Sequence, residues 1–201
     1  YSPPDDFPEQ LSELSGLLEG HGTGAGTIFA KPAIWLLGSS EQSAIWAAER
    51  GLPYAFADFI NPEGAAYARW YRRNFVSHRG SEPRVIVALS AICADTDEDA
   101  MLLSYSQRMA LLMLFRGRTI PIPRVDRAAE FLRNEGMPPE LLPVGRRMIT
   151  GTPERVKAAV EAVATDYGAD EVLILCNTHD HGARRASFER IAAVFGLTTA
   201  G

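Results

Sequence analysis

Short apolar runs alternate with amphipathic stretches along this chain, and the alternation sets the expected elements. Residues 33–37 read Ala-Ile-Trp-Leu-Leu, a compact apolar run that ends at Gly38 and meets Ser39, Ser40 and Ser43. The pattern predicts a strand over 33–37 and a helix over 42–50, with Gly51 placed to end the helix. Tyr54, Ala55, Phe56 and Ala57 predict a second strand. After Asn61 and Pro62, the residues Ala66, Trp70 and Tyr71 recur at helical spacing, so a helix is expected over 63–74. Within 84–94, Val85, Val87 and Leu89 alternate before a run that is apolar almost throughout, which predicts a third strand covered on both faces.

Thr96-Asp97-Glu98-Asp99 resembles a capping box with its acids in the first turn, so the longest helix should run from there to about Phe115. Gly117, Pro121 and Pro123 then interrupt regular structure, and 125–134 predicts a short helix. Residues 116–149 therefore form an excursion between the third and fourth strands. Thr152, Pro153 and Glu154 open a helix that Gly168 closes, 171–176 is the fourth strand, and 183–195 the last helix. At the other end, Pro3, Pro4 and Pro8 precede one modest helix over 9–18, and Gly20, Gly22, Gly24 and Gly26 mark a flexible linker. The division expected is an N-terminal helix and glycine-rich linker over 1–31, then the main unit over 32–201.

Strands that alternate with helices are parallel and joined by right-handed crossovers, so the fold class is α/β. About four such units fall short of a closed (β/α)8 TIM barrel, which takes about 250 residues. A partial barrel of TIM type is expected, either the second half of a larger barrel or a short form that closes by pairing with another subunit. An open edge would otherwise be exposed.

Composition narrows the partners. The 201 residues are 46% hydrophobic and 22% charged with a net charge of -5, which points away from nucleic acid and from an anionic membrane. No apolar run approaches the roughly 18 residues of a membrane span, and the expected location is cytoplasmic. Cys93 and Cys176 lie in strand-like stretches without CxxC spacing, so buried free thiols are expected.

The strand that runs into Ser39, Ser40 and Ser43 carries the chief candidate chemistry. The first-turn N–H groups of such a helix lack intrahelical partners, the helix dipole favours an anion, and serine hydroxyls add donors; together these can seat a phosphate. The competing reading is that Ser39 or Ser40 merely caps the helix. Thr178-His179-Asp180-His181 follows the fourth strand, where barrel enzymes place reactive groups. His-Asp-His alone is a poor ligand set, so no metal is assigned, and Asp180 reads as a helix start. Arg116, Arg118 and Arg124 read as a solvated loop paired with nearby acids, His21 and His78 as solvent-facing, and Trp35, Trp46 and Trp70 as packing residues. Gly38-Ser39-Ser40 is not the elbow of a serine hydrolase.

Several blocks also agree in order with a known family. The run Ile34-Trp35-Leu36-Leu37-Gly38-Ser39-Ser40, then Ser43-Ala44, Ala47-Ala48 and Gly51-Leu52-Pro53-Tyr54-Ala55-Phe56-Ala57, resembles the bacterial luciferase-like, flavin-dependent monooxygenases. Tyr71-Arg72, Phe75, Ala94-Asp95-Thr96-Asp97, Gly151-Thr152-Pro153-Glu154, Val156, Asp170-Glu171-Val172 and Thr178-His179-Asp180-His181 continue the match. The resemblance implies a TIM barrel that binds FMN at the C-terminal ends of its strands, often within a homo- or hetero-dimer. It implies reduced FMN from a flavin reductase and O2 acting on a small organic substrate. Carried over, Ser39, Ser40 and Ser43 match the phosphate-contacting segment, with N–H groups near Glu41 and Gln42, while Thr178 and His179 line the flavin or substrate pocket. No catalytic residue is assigned. The family's earlier strands have no counterpart before Phe7, which implies half a cofactor site. Two alternatives stay open: a relative that transfers hydride with the deazaflavin F420, and a truncated accessory subunit.

Overall fold

The computed structural model describes residues 6–18, 32–78, 80–137 and 147–197. The glycine cluster at Gly20 to Gly26 and His21 lie outside the described residues. In chain order the elements are α1 (Phe7–Leu18), β1 (Leu36–Gly38), α2 (Glu41–Glu49), β2 (Tyr54–Ala57), α3 (Ala65–Asn74) and β3 (Val85–Cys93). They continue with α4 (Asp97–Phe115), α5 (Val125–Asn134), β4 (Ile149–Gly151), α6 (Pro153–Tyr167), β5 (Glu171–Leu175) and α7 (His181–Val194).

All strand pairs are parallel, as alternation with helices requires. The order is β1-β2-β3-β4, with β5 also paired to β3, so the sheet is open among the described residues. β3 organises it: Val85 to Ala88 pair with β2, Ile86 to Ser90 with β5, and Ala91 to Cys93 with β4. β4 adds one strand to the four read from the sequence. Its three residues carry no periodicity, and only their pairing with Ala91, Ile92 and Cys93 makes them a strand.

The first strand falls at Leu36–Gly38, not over 33–37. Its partner β2 begins at Tyr54, immediately after Pro53, which has no N–H to donate; the carbonyl of Pro53 accepts from Leu36 N at 3.0 Å and pairing starts there. The helices start and stop on local signals. Ser40, Thr96 and Asp180 accept from the N–H groups of Ser43, Asp99 and Ala183. Gly168 closes α6 in a left-handed conformation. Thr152 makes no side-chain cap bond, and Pro153 at the first position carries that start.

Alternation along the strands gives the sheet two unlike faces. Leu36, Tyr54, Phe56, Val85, Val87 and Leu89 point into one core under α2, α3, α6 and α7, with Tyr71 and Tyr167 among them. The rings pack closely in tilted pairs, with centroids 5.4 Å apart for Tyr54 and Tyr71 and 5.3 Å for Phe56 and Tyr167. The other face is less covered: Leu37 is 64% exposed and Leu173 49%. α1 adds Leu11 to the core and stacks Phe7 on Trp46 at 4.9 Å. Trp70 packs against the same core, and Trp35 lies under the guanidinium of Arg84.

Candidate functional site

The chain leaves β1 at Gly38 and turns through Ser39 into α2, and four polar groups fix that corner. Ser40 is the N-cap: its Oγ accepts from Ser43 N at 3.3 Å, and its own N–H donates to Ser43 Oγ at 3.3 Å. Ser43 Oγ donates to the Ser40 carbonyl at 2.7 Å, which leaves Tyr54 as the donor in the 2.8 Å contact between the two hydroxyls. Burial pushes the Tyr54 phenol up to about 12, so it stays protonated and able to donate. The corner leaves no room at Gly38, where a Cβ would lie 2.2 Å from Ser43 Oγ. Asn61, beyond β2, donates from Nδ2 to the Ser39 carbonyl at 3.0 Å and holds the turn from the side.

The serines therefore have unlike positions. Ser43 is buried and its hydroxyl is engaged within the cap, whereas Ser40, Glu41 and Gln42 are exposed and Ser39 is half-buried. An anion approaching α2 meets the Ser40 hydroxyl and the first-turn N–H groups of Glu41 and Gln42, at the positive end of the helix dipole. The Glu41 carboxylate in the same turn opposes it. The geometry shows the cap itself, with Ser40 Oγ accepting from Ser43 N and the residues of the first turn exposed.

The β5 side is built differently. Thr178 is buried and its hydroxyl donates to the Asp180 carbonyl at 3.1 Å, which shapes the turn. Asp180 Oδ1 accepts from Ala183 N at 2.7 Å, so α7 begins at His181, two residues before the expected start. His181 Nδ1 lies 2.9 Å from Arg184 Nη2, while His179 stands in the wall of a cavity of about 660 Å³. That cavity lies between α4, the segment 118–124 and α5. Thr178 and His179 are thus adjacent in sequence yet differently placed. Three inter-strand steps, roughly 14 Å along the sheet, separate β1 from β5, and both turns follow the C-terminal ends of their strands.

The excursion arginines divide as well. Arg116 pairs with Glu135, with Nη1 to Oε1 at 3.1 Å, and Arg124 pairs with Asp126, with Nε to Oδ1 at 3.2 Å. Arg118 has no such partner among the described residues and lines the cavity with Arg124. His78 is exposed, its Nε2 3.1 Å from the Glu49 carbonyl. Cys93 and Cys176 are buried free thiols, and burial pushes both up from the ordinary thiol value.

Sequence reasoning passed over Asp58. It follows the last residue of β2, is fully buried, and accepts from the Tyr167 hydroxyl at 3.0 Å. Tyr167 in turn accepts from Gly64 N at 3.1 Å, and Arg147 Nε approaches Asp58 Oδ2 at 3.5 Å. Arg147 also donates to the Pro62 carbonyl at 2.8 Å. Burial raises the Asp58 carboxyl above its ordinary value, against the lowering effects of Arg147 and Tyr167. This network pins the loop that carries Asn61, and hence the Ser39 turn. Its only local signal was an acid immediately after a strand that is otherwise apolar.

Comparison with known proteins shows what the whole chain is similar to. The chain is 32% identical over 196 residues to the luciferase-like monooxygenase of Escherichia coli (strain K12), covering 92% of this chain and 57% of that protein. It matches the crystal structure of apo-MsnO8 with a TM-score of 0.86 at 30% identity, over 98% of this chain and 62% of that one. At 19% identity, the oxygenating constituent of 3,6-diketocamphane monooxygenase from Pseudomonas putida, solved in complex with FMN, shares the fold at a TM-score of 0.55, over 80% of this chain and 47% of that one. The chain spans 50% to 61% of the length of three curated relatives that it matches at 35% to 36% identity. The description of the luciferase-like monooxygenase family fits residues 9–171, most of the chain, which therefore belongs to that family.

Proposed function

We propose that this chain provides the phosphate seat of an FMN-dependent monooxygenase that oxygenates a small organic molecule with O2. The observation that carries this reading is the first turn of α2 at the C-terminal end of β1, where Ser40, Glu41 and Gln42 are solvent-exposed beside the Ser40 cap. The complex of the related Pseudomonas putida oxygenating constituent with FMN supports the choice of flavin. Ser40 would contact the phosphate, Ser39 and the two N–H groups would complete the seat, and Ser43 would hold Ser40 from behind. Thr178 and His179 would stand toward the flavin ring or the substrate. Bound reduced flavin supplies the electrons that activate O2, with one oxygen atom passing to the substrate and the other leaving as water. A separate flavin reductase would provide that reduced form, and a second polypeptide or a further stretch of strands would cover the open sheet face.

Ser40→Asp tests the seat. Aspartate caps as well as serine, so thermal stability should hold, while a carboxylate beside the phosphate should weaken FMN binding by about 10-fold or more. Flavin fluorescence reads the titration, with riboflavin and F420 in parallel. Riboflavin has no phosphate and should be indifferent to the substitution. Equal FMN affinity in both proteins would remove the phosphate from this corner, and preferential binding of F420 would replace FMN as the cofactor.

A further inference from the structure

The cavity beside His179 concentrates positive charge in a chain whose net charge is -5. Its interior is apolar, with Met109 and Met113, both buried, and Phe131. Arg118, Arg124 and Arg127 line it too, are exposed, and stand against one lining carboxylate, Glu130. Arg124 is paired with Asp126, but the guanidinium groups of Arg118 and Arg127 have no ion-pair partner among the described residues. Even with Asp126 and Glu130 counted, positive charge is in excess. Polarity thus runs from a cationic opening to an apolar floor.

That gradient selects a ligand by chemistry. A wholly polar anion would leave the methionine and phenylalanine surface uncovered, and a neutral hydrocarbon would gain nothing from the two guanidiniums, which an anionic headgroup would engage. A volume of about 660 Å³ suits a small molecule. We propose that this cavity binds the organic substrate as an amphiphilic monoanion, a medium-length carboxylate with its apolar body against Met109, Met113 and Phe131 and its carboxylate at Arg118 and Arg127. The planar fork of arginine matches a carboxylate with two parallel hydrogen bonds. His179 joins this cavity to the edge that carries the proposed flavin seat, and the term substrate rests on that flavin reading.

Isothermal titration of the protein with octanoate, octan-1-ol and acetate tests the assignment. Octanoate should bind at least about 10-fold more tightly than either octanol, which lacks the charge, or acetate, which lacks the apolar body. Arg118→Gln with Arg127→Gln should weaken octanoate by about 10-fold or more and leave octanol unchanged. Arg73→Gln, an exposed cation on α3, should change nothing. Octanoate affinity that survives the double substitution, or octanol that binds as tightly as octanoate, would overturn the proposal. An FMN titration of the same sample separates the two readings: FMN binding without octanoate binding refutes this inference alone, whereas arginine-dependent octanoate binding without FMN binding refutes the flavin reading and, with it, the role as substrate.

Discussion

Tyr167→Phe removes one oxygen atom from the middle of the Asp58 network and should be among the most damaging conservative changes in the chain. The lost hydroxyl donates to Asp58 Oδ1 at 3.0 Å and accepts from Gly64 N at 3.1 Å, and both partners are buried or held in the loop above the core. Leaving a buried donor and a buried carboxylate oxygen unsatisfied costs about 2–5 kcal/mol together. In a chain of 201 residues that corresponds to a fall in Tm of roughly 6–15 °C, followed by circular dichroism. The pH dependence gives a second reading. Asp58 is raised above its ordinary 3.8, so the folded state binds more protons than the unfolded state once pH exceeds that value, and stability falls as pH rises through the folded value. Removing Tyr167 removes a lowering influence on Asp58, so the decline should extend to higher pH. The penalty should be larger at pH 7 than at pH 4, where a neutral carboxyl tolerates burial better. Asp58→Asn should flatten the profile. A Tyr167→Phe protein within about 0.5 kcal/mol of the parent at pH 7 would refute the reasoning, since that is the range of an inconsequential surface change.

Two other predictions test neighbouring parts of the fold. Gly64→Ala places a Cβ 1.8 Å from the ring of Phe56, inside the core, and should lower stability by about 2–4 kcal/mol in urea unfolding; Phe56→Leu in the same chain should recover part of the loss. Cys93 and Cys176, buried and shifted up, should resist a thiol reagent at pH 8 in the folded protein and react fully in urea, and prompt reaction without denaturant would contradict their burial.

Much of the secondary structure was legible because its causes are local. The caps at Ser40, Thr96 and Asp180 each join residues three apart, and Gly168 closes α6 through its own backbone conformation. Alternation within β3 separated Val85, Val87 and Leu89 from Ile86 and Ala88. The helix start at Ser40 was legible for the same reason, since Ser40 and Ser43 act on each other across one helical turn. What the sequence did not show is that Ser43 is engaged by Tyr54 and buried, while Ser40 remains outside.

Amino-acid order alone determined the parallel α/β class, the existence of the helices with several of their caps, and the hydroxyl-rich turn after the first strand, because each depends on periodicity or on contacts within a few residues. Tertiary structure decided the rest: the strand β4, which exists only against β3; the bond from Tyr167 to Asp58 across 109 residues; and the gathering of Arg118 and Arg127 beside His179. These features require distant segments to meet, and which segments meet is fixed by how the sheet pairs and the helices pack, a property that no short window of residues carries.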